Sequence, residues 1–421
     1  MSRKTLLFIL VMGLISLFLL ESPVFAYIKW EVVLSPDTTT GNEWESYSVW
    51  LPYLVYDCQD SIYKMWYNGR GPNKLSGSYY ANGIGFATSV DGVNWENRQF
   101  IHGYALPTRS QVSMPWIIKT GDNYRVWHRH YYDWCGGEWS SYITYCESPD
   151  EISWDSETYN FGCSGKTWEF YFPGGFLGSI LQKSDSTFLY YDAVPPDRRE
   201  AIGRVVSVDS GRTWINSTRA MIISPDSVEF CDSIFFFSSV HCPNVTLKEN
   251  GTYRMFFSAY HPEPPYKGPI YIYEGVSQDG LYWDPDSLKP FLPPYILGDN
   301  ISQVRWPFYF KDRDGKEYLY FTFFDSTLVP APFPEVSSPG KIGRALLNNI
   351  VNGDANCDSL VSVSDVIYII SYLFKGGPPP CICMFADVNG DGIISVSDVV
   401  WLINYLFKGG RKPLIGCAKS C

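Results

Sequence analysis

The phrase "SVWLP" at 48–52 returns as "QVSMP" at 111–115, "SVHCP" at 239–243 and "QVRWP" at 303–307. Its prolines, Pro52, Pro115, Pro243 and Pro307, stand 63, 128 and 64 residues apart. A fixed interval of this kind marks a repeat architecture. The double gap predicts a further copy midway, and "GFLGS", ending at Ser179, stands there without its proline. The chain therefore reads as five units of about 64 residues.

Each unit continues alike. An aromatic strand follows ("YKMWYNG", "YRVWHRH", "FLYYDAV", "YRMFFSAY", "YLYFTFF"), then another strand, then a turn. Four turns share Ser-x-Asp followed by Trp: "SVDGVNW" (89–95), "SPDEISW" (148–154), "SVDSGRTW" (207–214) and "SQDGLYW" (277–283). In such an Asp-box-like turn the carboxylate accepts backbone N–H groups while the Trp wedges into apolar packing. That role makes Asp91, Asp150, Asp209 and Asp279 structural rather than catalytic. The fifth unit ends at "KIGRALL" (341–347) without a Trp strand, and "IKWEVVL" (28–34) supplies one. A first strand completing the last blade closes the ring and removes an exposed edge. The expected fold is mainly β: a five-bladed β-propeller over residues 27–349.

The chain's start is read separately. Arg3 and Lys4 precede an apolar run from Leu6 to Leu20, then "ESPVFA". This is the pattern of a signal peptide, 1–26, cleaved after Ala26. No later stretch reaches the roughly 18 apolar residues of a span, so an exported protein without a membrane span after cleavage is expected. A net charge of −11 excludes the basic footprint of nucleic-acid binding. Export permits disulfides. Among the 11 Cys, Cys135 and Cys146 suit a hairpin staple, and Cys381, Cys383, Cys417 and Cys421 suit a clasp at the C-terminus. The pairing stays open.

Residues 350–421 read differently. "GDANCDSLVSVSDVIYIISYLFKGG" (353–377) recurs as "ADVNGDGIISVSDVVWLINYLFKGG" (386–410), displaced by 33 residues. Asp354, Asn356, Asp358, the Leu360 carbonyl, Ser362 and Asp365 occupy positions 1, 3, 5, 7, 9 and 12 of a calcium loop. Asp387, Asn389, Asp391, the Ile393 carbonyl, Ser395 and Asp398 repeat them. All six acidic residues of 351–421 fall at loop positions 1, 5 or 12, a confinement that solvating charges do not show. Val366, Ile369, Ile370 and Leu373, and again Val399, Leu402, Ile403 and Leu406, follow a helical stripe. Each "KGG" then places a cation and a left-handed cap at the helix end. Position 6 is Gly392 in one loop but Ser359 in the other, which predicts a weaker first site.

These loop–helix repeats resemble the type I dockerin, a small all-α module. The resemblance implies two Ca2+ ions, a cohesin domain of a scaffold protein as partner, and cohesin contacts through Val363, Ser364, Val396 and Ser397. It also implies an extracellular or cell-surface location through that scaffold.

The propeller, with its "IGFATSVDGVNW"-type turns, resembles the family 43 and family 32 glycoside hydrolases. That implies O-glycosyl hydrolysis of a polysaccharide or oligosaccharide by paired carboxylates. In family 43 the base precedes the first-strand proline, where this chain has Leu51, with Met114 and Leu177 at the next two blades. By strand alternation, residues two and four before the proline are expected to line the central funnel: Trp50, Ser113, His241 and Arg305, with Ser48, Gln111, Ser239 and Gln303. Trp50, His241, Arg305 and His130 are the candidate substrate contacts. Asp192 and Asp325 are the candidate acid and base, with Glu169 in reserve. His128, His130 and Asp133 form a candidate metal trio. The alternative is a propeller that binds carbohydrate or protein without catalysis.

Overall fold

The computed structural model describes residues 29–39, 43–71, 81–103, 111–135, 138–154, 157–162, 166–169, 177–196, 199–227, 239–260, 270–325, 339–347 and 352–414, apart from 293, 295, 296, 299, 357, 359, 381 and 382. Residues 1–26, Ser359, Cys417 and Cys421 lie outside that set, as do the side chains of Gln111 and Asp133. Among the described residues no helix is long and apolar enough to cross a membrane.

Up to residue 347 the described residues are mainly antiparallel strand. Three sheets have four strands each: Ser48–Asp57 to Glu96–His102, Gln111–Thr120 to Thr158–Phe161, and Leu177–Gln182 to Ile215–Ile223. A larger sheet divides at one parallel pair, Ile270 with Gln303, into two further groups of four. The last group takes its outer strand from the chain's start, where Trp30–Leu34 pairs with Gly340–Leu346. The first strands of the five groups touch in a cycle, each against the next and the last against the first.

Those first strands share one irregularity. Leu51, Met114, Cys242 and Trp306, each just before the proline, have φ of 55°, 57°, 55° and 55°. Strand pairing slips there in every case, between Trp50 and Tyr53, Ser113 and Trp116, His241 and Asn244, and Arg305 and Phe308. A left-handed non-glycine residue costs on the order of 1–3 kcal/mol, and a bulge takes two residues out of the ladder. The proline has no N–H to orphan. The preceding residue's N–H finds an acceptor on the second strand of the neighbouring group. Asn68 accepts from Met114 (2.9 Å), Asp192 from Cys242 (2.7 Å), Ser258 from Trp306 (3.0 Å) and Thr322 from Leu51 (3.2 Å). At the corresponding place in the second group stands Arg129, which cannot accept. There the next first strand carries Leu177 and Gly178 instead, and a Cβ on Gly178 would lie 2.5 Å from Pro243 Cγ. Glycine is required by that close approach.

In three of the four Ser-x-Asp turns the Asp accepts from the N–H groups two and three residues on, and in the longer turn Asp209 accepts from Thr213. Asp279 Oδ1 accepts from the N–H groups of Leu281 and Tyr282, both at 2.8 Å, and these bonds hold its carboxyl below the usual range. Trp95, Trp154, Trp214 and Trp283 are buried behind the turns.

Beyond residue 352 two helices, Val363–Lys375 and Val396–Lys408, pack together. Ser362 and Ser395 cap them, with Asp365 and Asp398 completing capping boxes. Gly376 and Gly409, at φ 64° and 66°, close them. Val366, Ile369, Val399 and Leu402 form their shared core. Phe385 is 3% exposed and joins the apolar cluster of Phe321 and Leu347, tying this region to the last strand group. Cys383 is disulfide-bonded. Cys146 is buried, and the side chain of Cys135, its expected staple partner, lies outside the described residues.

Candidate functional site

The bulge corrects the expected lining of the funnel. A cavity of about 40 Å³ on the ring axis is lined by Leu51, Met114, Leu177, Cys242 and Trp306, with the prolines and Gly178. These are the residues one before the proline, not those two and four before it. The left-handed residue turns its side chain out of strand alternation and toward the axis. The valines three before the proline, Val49, Val112, Val240 and Val304, are buried between the sheets. The side chains around the throat of the ring are therefore mostly apolar, with the amide of Asn244 among them.

The residues two before the proline gather above it. Trp50 lies 6.2 Å from the Trp306 ring, and the Arg70 guanidinium lies 6.0 Å from Trp50. His241 lies 5.1 Å from Tyr260. The Arg305 guanidinium sits within 5.2–5.6 Å of Tyr260, Phe324 and Trp306. Ring faces and a guanidinium so arranged form a surface suited to sugar rings and hydroxyls.

Asp192 is fully buried beside His241 and Cys242. Burial pushes its carboxyl well above the usual range, and the charge of Glu200 adds to the rise. Burial also raises Glu200, to about 7, against the pull of Arg305 and Arg129. His241 is lowered to about 3 by burial and by Arg305, so it is neutral. Sequence reasoning passed over Glu200, which sits in a polar run ahead of the strand Ala201–Ser207. The acid electrostatically joined to Asp192 is thus neither Asp325 nor Glu169 but Glu200.

Glu169 is engaged elsewhere. It sits on the short helix Thr167–Glu169, accepts from the Tyr191 hydroxyl and pairs with Arg219 at 2.9 Å. Glu45 repeats this arrangement in the first group, with Tyr67 at 2.8 Å and Arg98 at 2.7 Å. Both follow a Trp, Trp44 and Trp168, and that shared Trp-Glu was the signal available in the sequence. Asp325 ends the strand Glu317–Asp325, opposite Ile301, and is partly exposed. His130 belongs to a separate group with His102, His128 and Glu157.

In the C-terminal region the loop acids converge. Asp354, Asp358 and Asp365, and likewise Asp387, Asp391 and Asp398, bring carboxylate oxygens within 4.8 Å of one another. Asp365 and Asp398 are fully buried. Burial raises Asp398 to about 6, and the charges of Asp387 and Asp391 add to it. Backbone N–H groups hold the loops in shape. Asp387 accepts from Gly390, Asp391 and Gly392 at 3.0–3.1 Å, and Asp398 accepts from Ser395 at 2.8 Å. Buried carboxylates packed together without a cation are costly, and an oxygen-seeking dication fits them.

Residues 352–407 match the sequence family described as "Dockerin type I domain". No curated protein matches the chain as a whole. Among solved structures, the N-acetylgalactosamine deacetylase from F. plautii superposes with TM-score 0.54 at 14% identity, covering 77% of this chain and 96% of that one. The GH62 α-L-arabinofuranosidase catalytic domain of Coprinopsis cinerea gives TM-score 0.50 at 11% identity, covering 77% and 98%. An exo-1,5-α-L-arabinanase from a bovine ruminal metagenomic library gives 0.50 at 12%, covering 70% and 91%. At such identities the fold alone is shared, and one fold here carries more than one reaction. Type I dockerins bind calcium and imply a cohesin partner. The chain carries a type I dockerin domain at residues 352–407, behind a ring of sheets with the propeller-like fold of these carbohydrate enzymes.

Proposed function

We propose that this chain is an exported carbohydrate-active enzyme: a signal peptide at 1–26, a five-bladed propeller with Asp-box turns over 27–349, and a dockerin over 350–421. The reaction is hydrolysis of O-glycosyl bonds in a polysaccharide. Glu200 is the proton donor, since its carboxyl still holds a proton near neutral pH. Asp192 instead accepts the Cys242 N–H and holds the first strand. Asp325 is the second carboxylate, because its strand end opens on the same face of the ring. Trp50, His241 and Arg305 hold the sugar. The raised Glu200 beside an aromatic and guanidinium surface carries this reading.

The dockerin holds two calcium ions, one per loop, and presents cohesin with matched apolar stripes. Leu360, Val363, Ile367 and Phe374 are 66%, 47%, 59% and 66% exposed. Ile393, Val396, Val400 and Phe407, each 33 positions on, are 67%, 52%, 50% and 66% exposed. Two equivalent faces support binding in either of two orientations. Ser364 and Ser397 lie within them.

The mostly apolar throat favours a second reading, a propeller that binds glycan without cleaving it. Reducing-sugar release from plant and microbial polysaccharides separates the two. The enzyme reading expects release that Glu200→Gln and Asp325→Asn each abolish while glycan retention persists. Retention with no release by the native protein establishes the binding reading.

A further inference from the structure

Three of the five histidines of the chain meet at one point away from the throat. His102 closes the outer strand Glu96–His102 of the first group. His128 and His130 stand on one face of the strand Asn123–Cys135 in the second group. Glu157 sits between them. Its Oε1 is 2.6 Å from His102 Nε2 and 3.1 Å from His128 Nε2, and its Oε2 is 2.9 Å from His130 Nε2.

The rings are held rather than loose. His128 stacks on Trp154 at 5.8 Å, His102 lies 5.7 Å from the same indole, and His130 stacks on Tyr142 at 5.4 Å. Thr144 Oγ1 also packs against the His128 ring, 3.0 Å from Nε2 and 3.2 Å from Nδ1. His128 is fully buried, whereas His102, His130 and Glu157 keep 24%, 18% and 18% of their side-chain surface open to solvent. An ion has a way in.

We propose that His102, His128, His130 and Glu157 form a divalent transition-metal site of the zinc class, clamping the first strand group to the second. Three nitrogens and one carboxylate oxygen suit a borderline ion in tetrahedral geometry. They do not suit calcium, which takes six to eight oxygens. Four protein ligands make a closed site, so its role is to hold the two groups together. The ion displaces the protons that the carboxylate now shares with the rings. This site is independent of the dockerin loops and of the carbohydrate reading.

The test uses the full chain saturated with calcium. Zinc retained after dialysis is counted by elemental analysis, and Co2+ is followed by its visible spectrum. The expected result is one zinc per chain, intense tetrahedral Co2+ bands, and a rise in the ring's melting temperature with added zinc. His102→Ala and His130→Gln should each weaken uptake by more than the roughly 10–100-fold seen on losing an outer-shell partner. Asp398→Ala should leave it unchanged. Far-ultraviolet circular dichroism confirms that each variant is folded. No retained zinc in the native chain, or uptake identical in His102→Ala and His130→Gln, overturns the proposal.

Discussion

Asp192 and Asp398 are both fully buried carboxyls raised by burial, yet their surroundings differ in kind. Asp192 spends an oxygen on the Cys242 N–H and serves a strained residue of the ring. Asp398 accepts from the N–H groups of Ser395 and Asn389 and faces two further carboxylates, Asp387 and Asp391. The first arrangement stabilises backbone; the second also gathers like charges that a cation would neutralise. What an acid does is decided by whether other acids share its site.

The sharpest way to break that comparison is to remove loop acids. Asp365→Ala with Asp398→Ala should abolish cohesin binding, while Asp192→Asn should leave it untouched; surface binding assays report both. Loss of Glu200 comes next: Glu200→Gln should lower turnover by roughly 10²–10⁴-fold with glycan affinity retained. Glu169→Gln should instead destabilise the ring by about 3 kcal/mol, because it strands Arg219 in the interior; denaturant titration measures it. Asp192→Ala should cost about 1–3 kcal/mol by orphaning the Cys242 N–H, and Asp192→Asn less, since an acceptor survives.

The ring's stability should also depend on pH. Unfolded, Glu200 releases its proton near 4.5; folded, near 7. The unfolded state therefore gains on the native one as pH rises across that window, and the ring loses up to about 3 kcal/mol. Glu200→Gln should flatten that slope in melts taken from pH 4 to pH 8.

The same contrast explains what could be read in advance. Asp354, Asp358 and Asp365 lie within 12 consecutive residues, as do Asp387, Asp391 and Asp398, so local spacing alone predicted that each set converges. The strands and the first-strand phrase were legible for the same reason: they recur at a fixed interval. The funnel lining was not. Alternation misplaced it because Leu51, Met114, Cys242 and Trp306 adopt a left-handed backbone, which only cross-sheet acceptors such as Thr322 and Asn68 make affordable. Glu200 escaped notice because its proton affinity depends on burial and on Arg129 and Arg305, residues far away in sequence. Glu169 looked available because its partners Tyr191 and Arg219 stand 22 and 50 residues on.

Calcium titration of the full chain, followed by calorimetry, tests the central claim most directly. Two ions should bind, and chelator should lower the melting transition of residues 352–407 while the ring's transition stays in place. Transitions indifferent to calcium, or a shift confined to the ring, would contradict it.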